Sequence, residues 1–148
     1  MPTTALYVHV MFSTKDRTPS IDAAWQMQLY EQIAQIMTEF KGDLLVAGGG
    51  TDHVHLVMKY SEDWSVADLV KKIKAGSQKW IRQNHTEQKG FTWQKEFVAF
   101  SASTDNLPNV QQYLTEQSNI HQTMPYQEEV RVLFNKHRLE IDESTIWD

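Results

Sequence analysis

His53-Val54-His55-Leu56-Val57-Met58-Lys59-Tyr60 alternates with a period of two, Val54, Leu56 and Met58 on one side and the histidines on the other. That is the pattern of a strand with one face in a core. Before it, Leu44 to Ala47 is a short apolar strand broken by Gly48-Gly49-Gly50. Those glycines precede a strand rather than a helix, so they read as a turn or bulge and not as a phosphate cradle. The two runs are expected to be antiparallel neighbours. On either side of this pair comes a helix and then a strand. Downstream, Val66, Leu69, Val70, Ile73, Trp80 and Ile81 make one stripe of an amphipathic helix, opened by Ser65 with Asp68 three residues on, as in a capping box. Phe97 to Ser103 reads as the strand after it. Upstream, Trp25, Leu29, Ile33, Ile36, Met37 and Phe40 recur at helical spacing until Lys41-Gly42-Asp43. Ahead of that helix, Leu6, Val8, Val10 and Phe12 alternate with Ala5, Tyr7, His9 and Met11.

The order β-α-β-β-α-β predicts an α+β fold of the ferredoxin-like, RRM-like kind. This is a four-stranded antiparallel sheet with two helices on one face. Asp105 or Asn106 can cap a third helix with Pro108 in its first turn and Val110, Tyr113, Leu114 and Gln117 along it. A last helical stretch, about Tyr126 to His137, precedes an irregular acidic tail. These additional C-terminal helices, a ligand or a partner are left to cover the second sheet face. With no repeat, low-complexity segment or linker, residues 1–148 read as a single domain.

Composition narrows the class. A chain of 148 residues that is 41% hydrophobic and 22% charged is too apolar to be disordered. The absence of cysteine excludes a disulfide scaffold, a thiolate metal site and a Cys nucleophile. Met1-Pro2-Thr3-Thr4 does not open a signal peptide, and no segment nears the roughly 18–20 apolar residues of a membrane span. A cytosolic protein with no membrane partner is the expectation. The net charge of -5 argues at first against nucleic acid. The charges are segregated, however. Residues 66–89 carry Lys71, Lys72, Lys74, Lys79, Arg82 and Lys89 against only Asp68 and Glu87, while both flanking stretches are acidic. At about 100° per residue, Lys71, Lys72, Lys79 and Arg82 oppose the apolar stripe, so they form a ridge. A ridge of this kind is either a solvated helix face or a phosphate-binding surface.

On a strand, His53 and His55 share a face about 7 Å apart, and His9 on the first strand is expected to share it. Two imidazoles are part of a metal site and need at least one further ligand; alternatively they line a half-exposed sheet face. Asp52 either orients a histidine or caps the strand. Tyr113 and Gln117, at i and i+4, share a helix face. A tyrosine hydroxyl can attack an electrophile and a glutamine carbonyl can coordinate a cation, although a helical tyrosine commonly just packs with its hydroxyl at the edge. Trp64 and Trp93 are candidates for base stacking, whereas Trp80 belongs to the core stripe. His85, His121 and His137 read as surface histidines. The adjacent acids Glu128 and Glu129 are not expected near the metal ligands.

Taken together and in order, Tyr7-Val8-His9-Val10-Met11-Phe12-Ser13-Thr14-Lys15-Asp16-Arg17, Asp52-His53-Val54-His55-Leu56-Val57 and Tyr113-Leu114-Thr115-Glu116-Gln117 resemble the single-tyrosine HUH transposases. These are small transposases of insertion sequences, together with their chromosomal relatives, the REP-associated tyrosine transposases. The resemblance extends over nearly the whole chain, through the lysine-rich helix, Phe91-Thr92-Trp93-Gln94-Lys95 and Phe134-Asn135-Lys136-His137.

It implies His53 and His55 as metal ligands, Gln117 as the third ligand, Tyr113 as nucleophile and Mg²⁺ or Mn²⁺ as cofactor. It also implies cleavage and rejoining of single-stranded DNA through a 5′-phosphotyrosine bond, beside a DNA hairpin, in a homodimer. The expected DNA-binding side chains are Lys71, Lys72, Lys74, Lys79 and Arg82, on a ridge beside the site, with Lys15 and Arg17. A non-catalytic DNA-binding or regulatory relative of the same fold is the alternative. A replication initiator or relaxase is disfavoured, because such chains usually join further domains or place the tyrosine differently.

Overall fold

The structure, a computed structural model, describes residues 3–115 and 125–148. Strands Leu6–Ser13 (β1), Asp43–Gly49 (β2), His53–Tyr60 (β3) and Val98–Ala102 (β4) form one sheet in the order β2-β3-β1-β4. Every neighbouring pair is antiparallel. Helices Gln26–Glu39 (α1) and Val66–Asn84 (α2) connect the strands, and Leu107–Thr115 (α3) and Tyr126–Lys136 (α4) follow the last one. This is the ferredoxin-like arrangement that the element order predicts.

Alternation along β1 and β3 separates two cores. Val8, Val10 and Phe12 of β1 and Val54, Leu56 and Met58 of β3 are buried with Leu29, Ile33 and Met37 of α1 and Leu69, Val70, Ile73 and Ile81 of α2. Burying each such side chain is worth about 1.5–3 kcal/mol. A one-residue slip would turn the whole set toward the other face, so the pairing of Val10 with Leu56 and Phe12 with Val54 is strongly specified. The Ser65 side chain accepts from the Asp68 backbone N–H at 3.0 Å and starts α2 where the capping pattern predicts.

On the second face, Met11, Val98 and Phe100 pack with Tyr126, Val130 and Leu133 of α4. Gln94 fixes how α4 lies there. Its buried Oε1 accepts from the Ser13 N–H (2.8 Å) and the Tyr126 hydroxyl (3.2 Å), and its Nε2 donates to the Ile146 carbonyl (3.0 Å). One amide thus joins the end of β1, the first turn of α4 and the acidic tail.

The glycine run departs from its expected role. β2 does not stop at Ala47: Gly48 pairs with His55 and Gly49 with Val54, so the strand continues to the turn. Gly49 has φ 145, and a Cβ there would lie 2.3 Å from the His53 carbonyl oxygen. Only glycine fits. At Gly48 a Cβ would lie 3.2 Å from the Leu114 carbonyl oxygen, so the bare backbone of β2 is what lets α3 approach the sheet.

Candidate active site

The face of the sheet away from α1 and α2 carries His53 and His55 on β3 and His9 on β1, all buried. His9 pairs with Val57 and Met11 with His55, so His9 and His55 are diagonal neighbours. His9 Nε2 lies 3.0 Å from His55 Nδ1. Burial first, and then the His55 imidazole, lower the His9 pKa to about 3, which keeps the ring neutral and able to accept. His53 Nδ1 is 2.6 Å from Asp52 Oδ1, so Asp52 does orient a histidine. Burial alone would lower the His53 pKa, but hydrogen bonds to Asp52 and Glu129 outweigh it and hold it above the ordinary value. With both Nδ1 atoms engaged, the Nε2 atoms face the same side.

What they face is Glu129. Its carboxylate is fully buried, with Oε2 3.1 Å from His53 Nε2 and Oε1 3.2 Å from His55 Nε2. One ligand atom from each of His53, His55 and Glu129 falls within 4.8 Å of the others. Ligands held about 2.1 Å from a common ion in neighbouring positions are roughly 3 Å apart, so these separations suit a divalent cation. Two neutral imidazoles and one carboxylate also form a donor set that transition cations accept. The expectation that Glu129 would lie away from the histidines is therefore corrected: α4 delivers it from across the sheet. A sequence signal existed. Tyr126, Glu129, Val130 and Leu133 lie on the buried stripe of α4, and an acid on such a stripe is almost never buried unless it is paired.

Tyr113 enters the same cluster from α3. Its hydroxyl donates to Glu129 Oε1 at 2.9 Å, and its ring centroid is 6.4 Å from that of His55. Tyr126 packs against His53 with ring centroids 5.0 Å apart; burial, together with the Glu129 and Asp52 carboxylates, raises its pKa. Among the residues singled out in the sequence, Gln117 and His121 lie outside the described residues.

The basic residues divide into two groups. Lys71, Lys72 and Lys79 are exposed on α2. Lys74 instead donates to the carbonyls of Gln94, Lys95 and Glu96 at 2.9, 3.1 and 2.7 Å, and burial lowers its pKa to about 8. Arg82 donates to the Phe91 carbonyl and the Thr92 hydroxyl, and Arg17 to the Trp147 carbonyl. Lys15 borders a cleft of about 410 Å³ together with Asp16 and Glu87. The ridge does not lie beside the histidines as expected. α2 packs on the opposite sheet face, and strand alternation puts the sheet between them. Of the tryptophans, Trp93 is buried and donates to the Ser77 hydroxyl, and Trp64 lies edge-on to Phe40.

Residues 2–117 match the sequence profile of the family described as "Transposase IS200 like". The chain belongs to the IS200-like transposase family. Two solved structures share the family fold. One is a candidate transposase from Deinococcus radiodurans R1, at 21% identity and TM-score 0.65, covering 78% of this chain and 93% of that one. The other is a REP-associated tyrosine transposase bound to a REP hairpin, at 12% identity and TM-score 0.60, covering 82% of this chain and 73% of that one. No curated protein matches the chain. Among the described residues of this family member, no helix is long and apolar enough to cross a membrane.

Proposed function

We propose that the protein is a metal-dependent strand transferase that cleaves and rejoins single-stranded DNA, with Tyr113 as nucleophile. The observation that carries this reading is one buried carboxylate, Glu129, that accepts from the Tyr113 hydroxyl and faces both His53 and His55. Tyr113 and the candidate metal ligands therefore belong to one hydrogen-bonded cluster, which supports this reading. His53, His55 and Glu129 would hold Mn²⁺ or Mg²⁺, with Gln117 as a further ligand. The cation would withdraw charge from the scissile phosphate and orient it.

The chain's own groups do the rest. The Tyr113 oxygen attacks phosphorus and forms the 5′-phosphotyrosine bond as the P–O bond to the 3′-oxygen breaks. Glu129 Oε1 takes the phenolic proton, and the 3′-oxygen leaves with a proton from solvent as a 3′-hydroxyl. A phenol with a pKa near 10 is a weak nucleophile unaided, so an acceptor at hydrogen-bond distance matters. Because one ester replaces another, rejoining needs no external energy source. Asp52 and His9 hold the two ligand imidazoles by their Nδ1 atoms.

A DNA hairpin is the proposed recognition element, in keeping with the hairpin-bound structure of similar fold. Lys71, Lys72 and Lys79 would take its phosphates, with Lys15 nearer the histidine end, because Ser13 pairs with His53. A homodimer is part of the proposal. Tyr113→Phe is expected to abolish a denaturant-resistant protein–DNA adduct in Mn²⁺, read on a gel, while DNA binding changes little. An adduct that persists in the Phe variant would remove Tyr113 from the role.

A further inference from the structure

Beside Tyr113 lies a cavity of about 260 Å³ lined by His9, Asn106, Asn109, Val110, Lys136 and His137, with Tyr113 and Leu133 completing its wall. It sits between α3, which carries the nucleophile, and the end of α4. Its volume falls just below the roughly 300–1,000 Å³ of pockets that take drug-sized ligands, a size suited to one flat heterocycle. The chemistry of its lining is graded. His9 and Leu133 are buried, whereas Asn106, Asn109, Lys136 and His137 are exposed. Apolar side chains and the buried His9 therefore make the floor, and two amides, the His137 ring and the Lys136 ammonium make the rim.

Each of these features matches part of an unpaired nucleotide. The His137 ring is held flat by stacking on Phe100, with centroids 4.5 Å apart and planes 9° from parallel, so the cavity wall includes a pre-ordered ring. Flat rings of this kind are what single-stranded bases stack on. Asn106 and Asn109, at i and i+3 around the first turn of α3, each carry a donor and an acceptor in one plane. That geometry allows an amide to donate one hydrogen bond to a base edge and accept one from it. Lys136 can meet the phosphate that follows the base. The cavity shares Tyr113 with the cluster of His53, His55 and Glu129, so a base held in it would belong to a nucleotide flanking the phosphate under attack.

We infer that this cavity is a base-reading subsite: it accepts one unstacked DNA base next to the scissile phosphate, with Asn109 and Asn106 setting which base is preferred. The inference rests on the strand-transfer reading and deepens it, by moving part of target choice from the hairpin to the nucleophile's own helix. The test uses the full chain, Mn²⁺ and a single-stranded DNA library randomised around a hairpin-forming segment. Adducts are trapped in denaturant, digested and sequenced at the point of attachment.

The wild-type protein is expected to enrich one base at a position flanking the break. Asn109→Ala, and Asn106→Ala with Asn109→Ala, are expected to reduce that enrichment by roughly ten- to a hundredfold while Tyr113 still forms adducts. Asn109 is exposed and does not cap α3, so Asn109→Ala keeps the helix, and the double variant is compared with Asn106→Ser, which retains a capping side chain. An unchanged base preference in the variants, or no flanking preference in the wild type, overturns the subsite and leaves strand transfer standing. Failure of the wild type to form any Tyr113-dependent adduct overturns the strand-transfer reading, and the subsite with it.

Discussion

Glu129 is the side chain on which the site turns. A fully buried carboxylate is costly unless compensated, and here the compensation is the Tyr113 hydroxyl on one side and two imidazoles on the other. Replacing it by an amide keeps its shape and removes its charge. Glu129→Gln is expected to weaken Mn²⁺ binding at least about tenfold, measured by calorimetric titration. An unchanged isotherm would exclude Glu129 from the ligand set. The histidine pair was legible in the sequence because β-strand geometry puts residues i and i+2 on one face whatever the fold. Glu129 was not assigned from sequence, since 74 residues separate it from His55 and only the packing of α4 across β1 and β4 brings them together. The link between His9 and His55 is intermediate: alternation gave the shared face, and the register of β1 against β3 gave the 3.0 Å approach.

Among the elements, α3 is one whose placement depends on a neighbour's composition. It reaches the sheet because Gly48 presents no side chain to the Leu114 backbone. A branched residue there would push the helix outward and carry Tyr113 away from Glu129, without disturbing the strand pairing that holds His55. Gly48→Val should therefore keep Mn²⁺ affinity within a few-fold and reduce adduct formation by about tenfold or more, since misplacing a reacting group by 1 Å can cost about a hundredfold. Equal losses of metal binding and adduct would contradict this division. The helices and strands themselves were legible from periodicity and caps, as in the Ser65–Asp68 start of α2. The extent of β2 was not. Glycine has little strand propensity, yet Gly48 and Gly49 are held in the ladder by their partners His55 and Val54, a tertiary effect that no local preference encodes.

Across the whole molecule, the sheet separates two surfaces. One carries the exposed lysines of α2, the other the histidines, Glu129 and Tyr113. On the proposed function, a short single strand at Tyr113 is expected to stay on the face away from the ridge, and contact with the ridge is expected only from a larger DNA that wraps the sheet edge. Lys71→Ala, Lys72→Ala and Lys79→Ala combined should leave adduct formation on a short oligonucleotide unchanged. The same variant should weaken hairpin binding and flatten its salt dependence by up to about 0.9 in log–log slope for each duplex phosphate that is no longer neutralised. An identical salt slope in fluorescence anisotropy would show that the ridge is only a solvated face. Lys74 and Arg82 are kept out of this set because their donors hold the segment from Phe91 to Glu96 in place.

The sequence by itself determined the order of elements, the sheet they build and the facing of His53 with His55, because periods of 2 and 3.6 are local properties of the backbone. It also determined that positive charge is concentrated on one helix. Only the tertiary structure decided that this helix lies across the sheet from the histidines, that Lys74 and Arg82 are spent on the chain itself, and that Glu129 and Tyr113 close on the same two imidazoles. Those outcomes depend on which surfaces pack together, and burial, unlike periodicity, is a property of the assembled core.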